Sequence, residues 1–278
     1  MENHYNRKLK TTWDRFGGTN LLHVPLAEIN RTIYDLLNQN KQAVIIPAYR
    51  LAGCMDEGAG GKSVGLGGPG IVLAFHAGTK QGKQGWQAVL AGLDTTARVL
   101  DGDVDAVSSH DGCGACGIVY DLLSGEEQKQ FADSDRLGVA LAKELAEKLS
   151  VDYKHIPYEE MTRQASGHTA RMVFYTGTEQ FNIDDCLPRG IAFTVSRGSL
   201  QKLEDKEFAA EIGKFLLDTA CRIATGDHGL AELATSLSPF VIVPAAGSRV
   251  SLPILLEESR EIAAKYPGNV TVLDGFSL

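Results

Sequence analysis

The chain has 278 residues, a formal net charge of -8, 44% hydrophobic residues and 22% charged residues. Those values fit a folded protein long enough for a substantial core. The negative balance argues against nucleic acid or an anionic membrane as the main partner. No apolar run approaches the roughly 20 residues that span a bilayer. The opening MENHYNRKLK lacks the apolar stretch of a signal peptide, so a cytoplasmic location is expected. The five cysteines are Cys54, Cys113, Cys116, Cys186 and Cys221. An odd number without a secretion signal disfavours a disulfide framework and points to metal or redox chemistry.

In chain order, LAEINRTIYDLLNQNKQ (26–42) has helical spacing. AVIIP (43–47) and YRLAG (49–53) are short apolar runs, each able to form a strand that leads to Cys54. The glycine-rich segment 58–70 is a loop by composition, and GIVLAF (70–75) reads as a buried strand. GWQAVLAGLDTTARVL puts Trp86, Val89, Leu90, Leu93, Ala97 and Leu100 on one helical stripe. VDAVSS (104–109) is a strand candidate ending at His110. SDRLGVALAKELAEKLS (134–150) predicts a helix with a serine cap. ARMVFYTG and GIAFTVSRG predict strands. DKEFAAEIGKFLLDTACRIATG predicts a long helix stopped by Gly226. PFVIVPAAG and VTVLDG predict two more strands around the helix PILLEESREIAAKY. No internal repeat or linker is evident.

This order predicts an α/β fold with a mainly parallel central sheet flanked by helices, as one domain over 1–278 with an elaboration over about 150–278. Ligands of such sheets collect beyond the C-terminal strand ends. Cys54 and His110 each end a candidate strand.

Two chemistries compete at GCMDEGAGGKS (53–63). A phosphate loop needs a glycine five residues before Gly61-Lys62-Ser63. That place is Asp56, and Gly65 and Pro69 would interrupt the helix that should follow. A metal site fits better. His110 and Cys113, three apart in a glycine-punctuated turn, can face one point, with Cys54 as third ligand and an open fourth position. Asp56 could accept a hydrogen bond from a water there or fill the position itself. Three other readings compete: Cys54 merely packs, Cys113 and Cys116 form a redox pair, or Cys116 closes a structural site. In the second half, His168 and Arg171 read as a hydrophilic strand entry. Asp227-His228 reads as a helix stop. Cys186 and Cys221 read as structural, and His76 as a loop or contact residue.

Cys54-x-Asp56 followed by His110-x-x-Cys113-Gly114 resembles the zinc motifs of the β-class carbonic anhydrases. GGPGIVLAFHAG (67–78) also resembles the segment between those motifs, and the similarity covers about residues 35–120. The resemblance implies Cys54, His110 and Cys113 as zinc ligands and Asp56 as the catalytic carboxylate. It further implies reversible hydration of carbon dioxide to bicarbonate by metal-bound hydroxide, and a homodimer or higher homo-oligomer. The family's Asp pairs with an Arg two residues on, where this chain has Gly58. Lys62, Arg50 or a second-half residue would have to stand in. The related ζ-class, which can use cadmium, shares the two-cysteine, one-histidine ligand set. Relatives acting on carbonyl sulfide or carbon disulfide, and a closed non-catalytic metal site in a binding protein, are the alternatives.

Overall fold

The computed structural model describes residues 49–161, 168, 170–182, 190, 192–226 and 239–277. The expected helix over 26–42 and strand over 43–47 lie outside the described residues, as do Cys186 and Asp227-His228. The architecture is α/β with parallel sheets, as the element order implies. Strands β1 (Leu51–Cys54), β2 (Val64–Leu66), β3 (Ala106–His110) and β4 (Asp152–Ile156) form one sheet in the order β2-β1-β3-β4. Strands β5 (Met172–Thr176), β6 (Ala192–Val195), β7 (Phe240–Ala246) and β8 (Val270–Val272) form a second in the order β6-β5-β7-β8, with β9 (Phe276–Ser277) beside β7. Every pairing is parallel. The central strands β1, β3, β5 and β7 are buried throughout, because helices cover both faces of such sheets.

Helices α1 (Ile71–Lys80) and α2 (Gly85–Leu100) connect β2 to β3, and α3 (Gly114–Tyr120), α4 (Gly125–Phe131) and α5 (Ser134–Leu149) connect β3 to β4. In the second half, a short 3-10 turn and α6 (Lys206–Thr225) connect β6 to β7, and α7 (Leu252–Ala263) connects β7 to β8. Among the described residues no helix is long and apolar enough to cross a membrane.

Local physics departs from the sequence expectations at several points. The run expected as a strand over 70–75 is the first part of α1. Ile71, Val72, Leu73 and Ala74 are all buried there, and a short apolar run buried on every side carries no period to separate helix from strand. Gly70, at φ 94°, sits at its N-cap. The helices α1 and α2 pack almost backbone to backbone. A Cβ on Gly78 would fall 1.9 Å from the Ala88 oxygen, and one on Gly92 1.9 Å from that of Ala74. Strand β2 lies inside the segment expected as loop. The α5 cap is Asp133, whose side chain accepts from the Arg136 amide, and not the serine. On α2, Val89, Leu93, Ala97 and Leu100 are buried as expected, whereas Leu90 is exposed. Fully burying a side chain such as Leu100 contributes roughly 1.5–3 kcal/mol.

The two sheets share one topology. Each half runs strand, strand, helical crossover, strand, helical crossover, strand, and each places its second strand at the edge and its first and third in the middle. No such repeat is evident in the sequence. Setting Arg50 against Arg171, the residues just before β1 and β5, and carrying that alignment through the strand registers gives counterparts. Tyr175 stands against Cys54, Arg197 against Gly68, Ala245 against His110 and Ser248 against Cys113. The halves meet through their equivalent edge strands. The Thr194 amide donates to Met55 O at 3.1 Å, the Ser196 amide to Gly65 O at 2.9 Å, and the Gly65 amide to Ser196 Oγ at 2.9 Å. A Cβ on Gly65 would lie 2.1 Å from the Thr194 oxygen, so only glycine permits this approach.

Candidate metal centre

Strand pairing brings the two sequence motifs together. Strands β1 and β3 are parallel neighbours, so their C-terminal ends open at the same edge of the sheet, where open α/β sheets place ligands. Cys54 is the last residue of β1, His110 the last of β3, and Cys113 the N-cap of α3. Their donor atoms all lie within 4.8 Å of one another, and the two sulfurs are 3.8 Å apart. All three residues are buried, at 4%, 2% and 3% exposure.

The hydrogen bonding is that of a metal-ligand set. His110 Nδ1 lies 2.8 Å from the Asp111 carbonyl oxygen, which can only accept. That bond fixes the tautomer and turns the Nε2 lone pair toward the thiols. Nε2 is buried and has no hydrogen-bond partner, a cost that a cation at this point would remove. The Gly68 amide donates to Cys54 Sγ at 3.3 Å, reached because Gly68 adopts φ 61°. The amides of Gly112 and Cys113 both point at Asp135 Oδ1, at 2.9 and 3.4 Å, pinning the His-x-x-Cys turn to α5. Asp111 is anchored in turn: its carboxylate accepts from the Tyr158 amide at 3.1 Å and meets His155 Nε2 at 3.1 Å. Such outer contacts hold metal ligands in place.

The charge balance points the same way. The neighbouring Cys113 thiol and burial push the Cys54 thiol well above its ordinary 9.0. Cys116 is the largest influence raising Cys113, also well above 9.0. Burial lowers His110, but Cys54 and the Asp56 carboxylate outweigh it and raise the imidazole to about 9, so the Nε2 lone pair becomes available to a cation only as that proton leaves. Two thiols this close in a dry pocket resist losing their protons without a positive partner. A divalent cation supplies one and displaces those protons.

Cys116 does not join the three donors. It is buried against Gly138, where a Cβ would lie 2.8 Å from its sulfur. Asp56 belongs to a separate cluster with Glu57 and His168. Its Oδ1 accepts from the Gly58 amide at 2.8 Å, so the backbone supplies a donor at the position of the family's arginine. Two of the candidate stand-ins are engaged elsewhere. Arg50 pairs with Asp105 at the far end of β1. Lys62 donates to the carbonyls of Asp56 and Ala59, at 2.8 and 3.1 Å. Its loop leads into a strand and not a helix, so it is no phosphate cradle.

His168, expected as a hydrophilic strand entry, faces this cluster. Its Nδ1 lies 3.0 Å from Glu57 Oε2 and 4.0 Å from Asp56 Oδ2. Sequence reasoning also missed Gly68, Asp111 and Asp135. The one available signal was the glycine run itself, since a residue with φ above zero beside a cysteine often marks a close backbone approach. Cys221 is a buried, free cysteine on α6, and His76 packs its ring edge-on to Phe215 at 5.0 Å. Comparisons with protein-family models, with curated proteins and with solved structures returned no match. The identification of this centre therefore rests on its own residues: a buried Cys54-His110-Cys113 group with the donors and spacing to hold a metal ion.

Proposed function

We propose that the protein is a zinc-dependent carbonic anhydrase-like enzyme that hydrates carbon dioxide reversibly to bicarbonate and a proton. The observation that carries this reading is the convergence of Cys54, His110 and Cys113 around a buried Nε2 without a partner, with an acidic side chain held beside them and not among them. Two thiolates and one imidazole suit zinc, and cadmium is the softer alternative. Such a cation supplies Lewis acidity and lowers the pKa of a coordinated water toward about 7. Asp56 then has one task. Its carboxylate accepts a hydrogen bond from the attacking water and orients it, while the Gly58 amide keeps Oδ1 fixed. The resemblance that suggests a homodimer finds a parallel inside one chain, whose halves already meet edge to edge.

Stopped-flow hydration of carbon dioxide by the zinc-loaded protein across pH is the test. Activity should rise through a pKa near 7, disappear in Cys54→Ser, and fall in Asp56→Asn with zinc retained. Zinc bound without turnover at any pH would defeat the enzyme reading. The burial of all three donors supports a second reading, a closed and purely structural centre, and that result would favour it.

A further inference from the structure

The cluster of Asp56, Glu57 and His168 is unusual in joining the two halves of the chain at the metal centre. Asp56 and Glu57 follow β1, and His168 precedes β5. By composition the three could hold a second cation, but their atoms are wired as a hydrogen-bond network. Glu57 Oε1 accepts from the Ala170 amide at 3.3 Å, and Oε2 meets His168 Nδ1 at 3.0 Å. Asp56 Oδ1 accepts from the Gly58 amide, and Oδ2 lies 4.0 Å from the same Nδ1. The imidazole packs against Phe193 of β6, with ring centroids 5.5 Å apart and the planes tilted by 50°, and its side chain is 13% exposed. Glu57, fully buried at its side chain, can only be an acceptor when ionised, so it fixes the Nδ1–H tautomer of His168. The one Nδ1 hydrogen goes to Glu57, so His168 acts on Asp56 Oδ2 across 4.0 Å through its ring dipole and not through a hydrogen bond, in a low-dielectric setting that strengthens such an interaction.

We propose that His168, aimed by Glu57, is a positioning residue that helps to keep the Asp56 carboxylate beside the three metal donors and out of the ligand set. This rests on the proposed function for its meaning, though not for its test. The second half thus completes the centre of the first.

The experiment uses the full chain loaded with cobalt(II), whose thiolate absorption reports Cys54 and Cys113 and whose ligand-field bands report the remaining coordination. His168→Ala should keep the thiolate absorption and shift the ligand-field bands as Asp56 moves. His168→Asn, whose amide N–H falls near the place of Nδ1, should restore the wild-type bands. In an Asp56→Asn background, His168→Ala should shift nothing further. For the zinc form, kcat should fall about 10–100-fold in His168→Ala, the usual scale for an outer-shell partner, with KM unchanged and most of the loss recovered in His168→Asn. Unchanged ligand-field bands in His168→Ala would overturn the proposal. So would loss of the thiolate absorption, which would make His168 part of the fold alone, or failure of His168→Asn to restore the bands. A wild-type zinc protein with no hydration activity would sink the proposed function, and the cobalt bands would still decide the role of His168.

Discussion

The same strand order is used twice in this chain, with opposite solutions at equivalent places. At the first-half edge, Cys54, His110 and Cys113 converge in a buried pocket with an Nε2 without a partner. At the second-half counterparts, Tyr175, Ala245 and Ser248 offer no such set, and among the described residues no metal-type cluster occurs there. A buried ion-paired network stands there instead. Arg197 Nε and Nη2 each lie 3.1 Å from a Glu258 oxygen, and Tyr175 donates its hydroxyl to the same carboxylate. One half closes its strand ends with a site for a cation, the other with a salt bridge. The topology explains where a site forms, and the side chains at four or five register positions explain which kind.

The strongest way to break this comparison is to count metal. One equivalent of zinc per chain is expected, bound by the first half, because among the described residues only that half groups two cysteines with a histidine. Cys54→Ser should abolish stoichiometric binding and take carbon dioxide hydration to background. Two equivalents, measured by atomic emission on the full chain and retained in Glu57→Gln, would show that the counterpart edge also binds and that the second ion is not at Asp56, Glu57 and His168. Next in size is the second-half network. Glu258→Gln leaves the buried Arg197 guanidinium, 3% exposed at its side chain, without its countercharge. Breaking a buried pair from one side costs about 3–5 kcal/mol, so denaturant unfolding should shift by that amount while zinc content stays at one. A loss of zinc in this variant would mean that the two edges are not independent.

The junction between the halves comes third. Gly65→Ala pushes a methyl into the Thr194 carbonyl, 2.1 Å away. Either the edge strands part or the backbone shifts, at a cost of about 1–3 kcal/mol. Because His168 reaches the centre across this junction, the variant should also lose part of its carbon dioxide hydration with zinc still bound. Stability and activity both at wild-type values would show that the junction does not transmit to the site.

Much of this was legible in sequence, and the failures have physical causes. Spacing raised Cys54, His110 and Cys113 as one reading among several, because each ends or follows a strand and a parallel sheet brings strand ends together, and the resemblance singled them out. The helices α2, α5, α6 and α7 were legible from a one-sided apolar stripe. Helix α1 was not, since it is buried on nearly every side. Strand β2 was masked by the glycine run around it, of which its own Gly65 is needed for the sheet-to-sheet approach. Strand β4 escaped because Asp152 and Lys154 point to solvent at a sheet edge. The topological repeat was invisible because the residues that could have advertised it, the metal donors, are replaced in the second copy. His168 was beyond reach for another reason: it meets Glu57 across 111 positions, and no local pattern encodes that encounter.

The smallest expected effect sharpens the comparison through pH. At the second-half edge, Glu179 accepts from Arg249 Nε at 2.5 Å and from Ser248 Oγ at 2.9 Å. Burial raises its carboxyl, but the hydrogen bonds from Arg249 and Ser248 outweigh this and hold it below its ordinary 4.5. A carboxyl with a lower pKa folded than unfolded stabilises the fold fully above the unfolded value, and the contribution fades as pH falls through the folded one. Arg249 and Glu179 are about a third exposed, so solvent screens the pair and its worth is about 0.2–1 kcal/mol. Glu179→Gln should therefore be slightly less stable than wild type at pH 7, and the gap should close below pH 4.5. Acid also strips metal from the first-half centre as the thiolates and imidazole take up protons. That loss is common to both proteins and cancels in their difference, since the two sites share no partner. A gap that persists unchanged to pH 3 would show that the carboxylate charge contributes nothing at this edge.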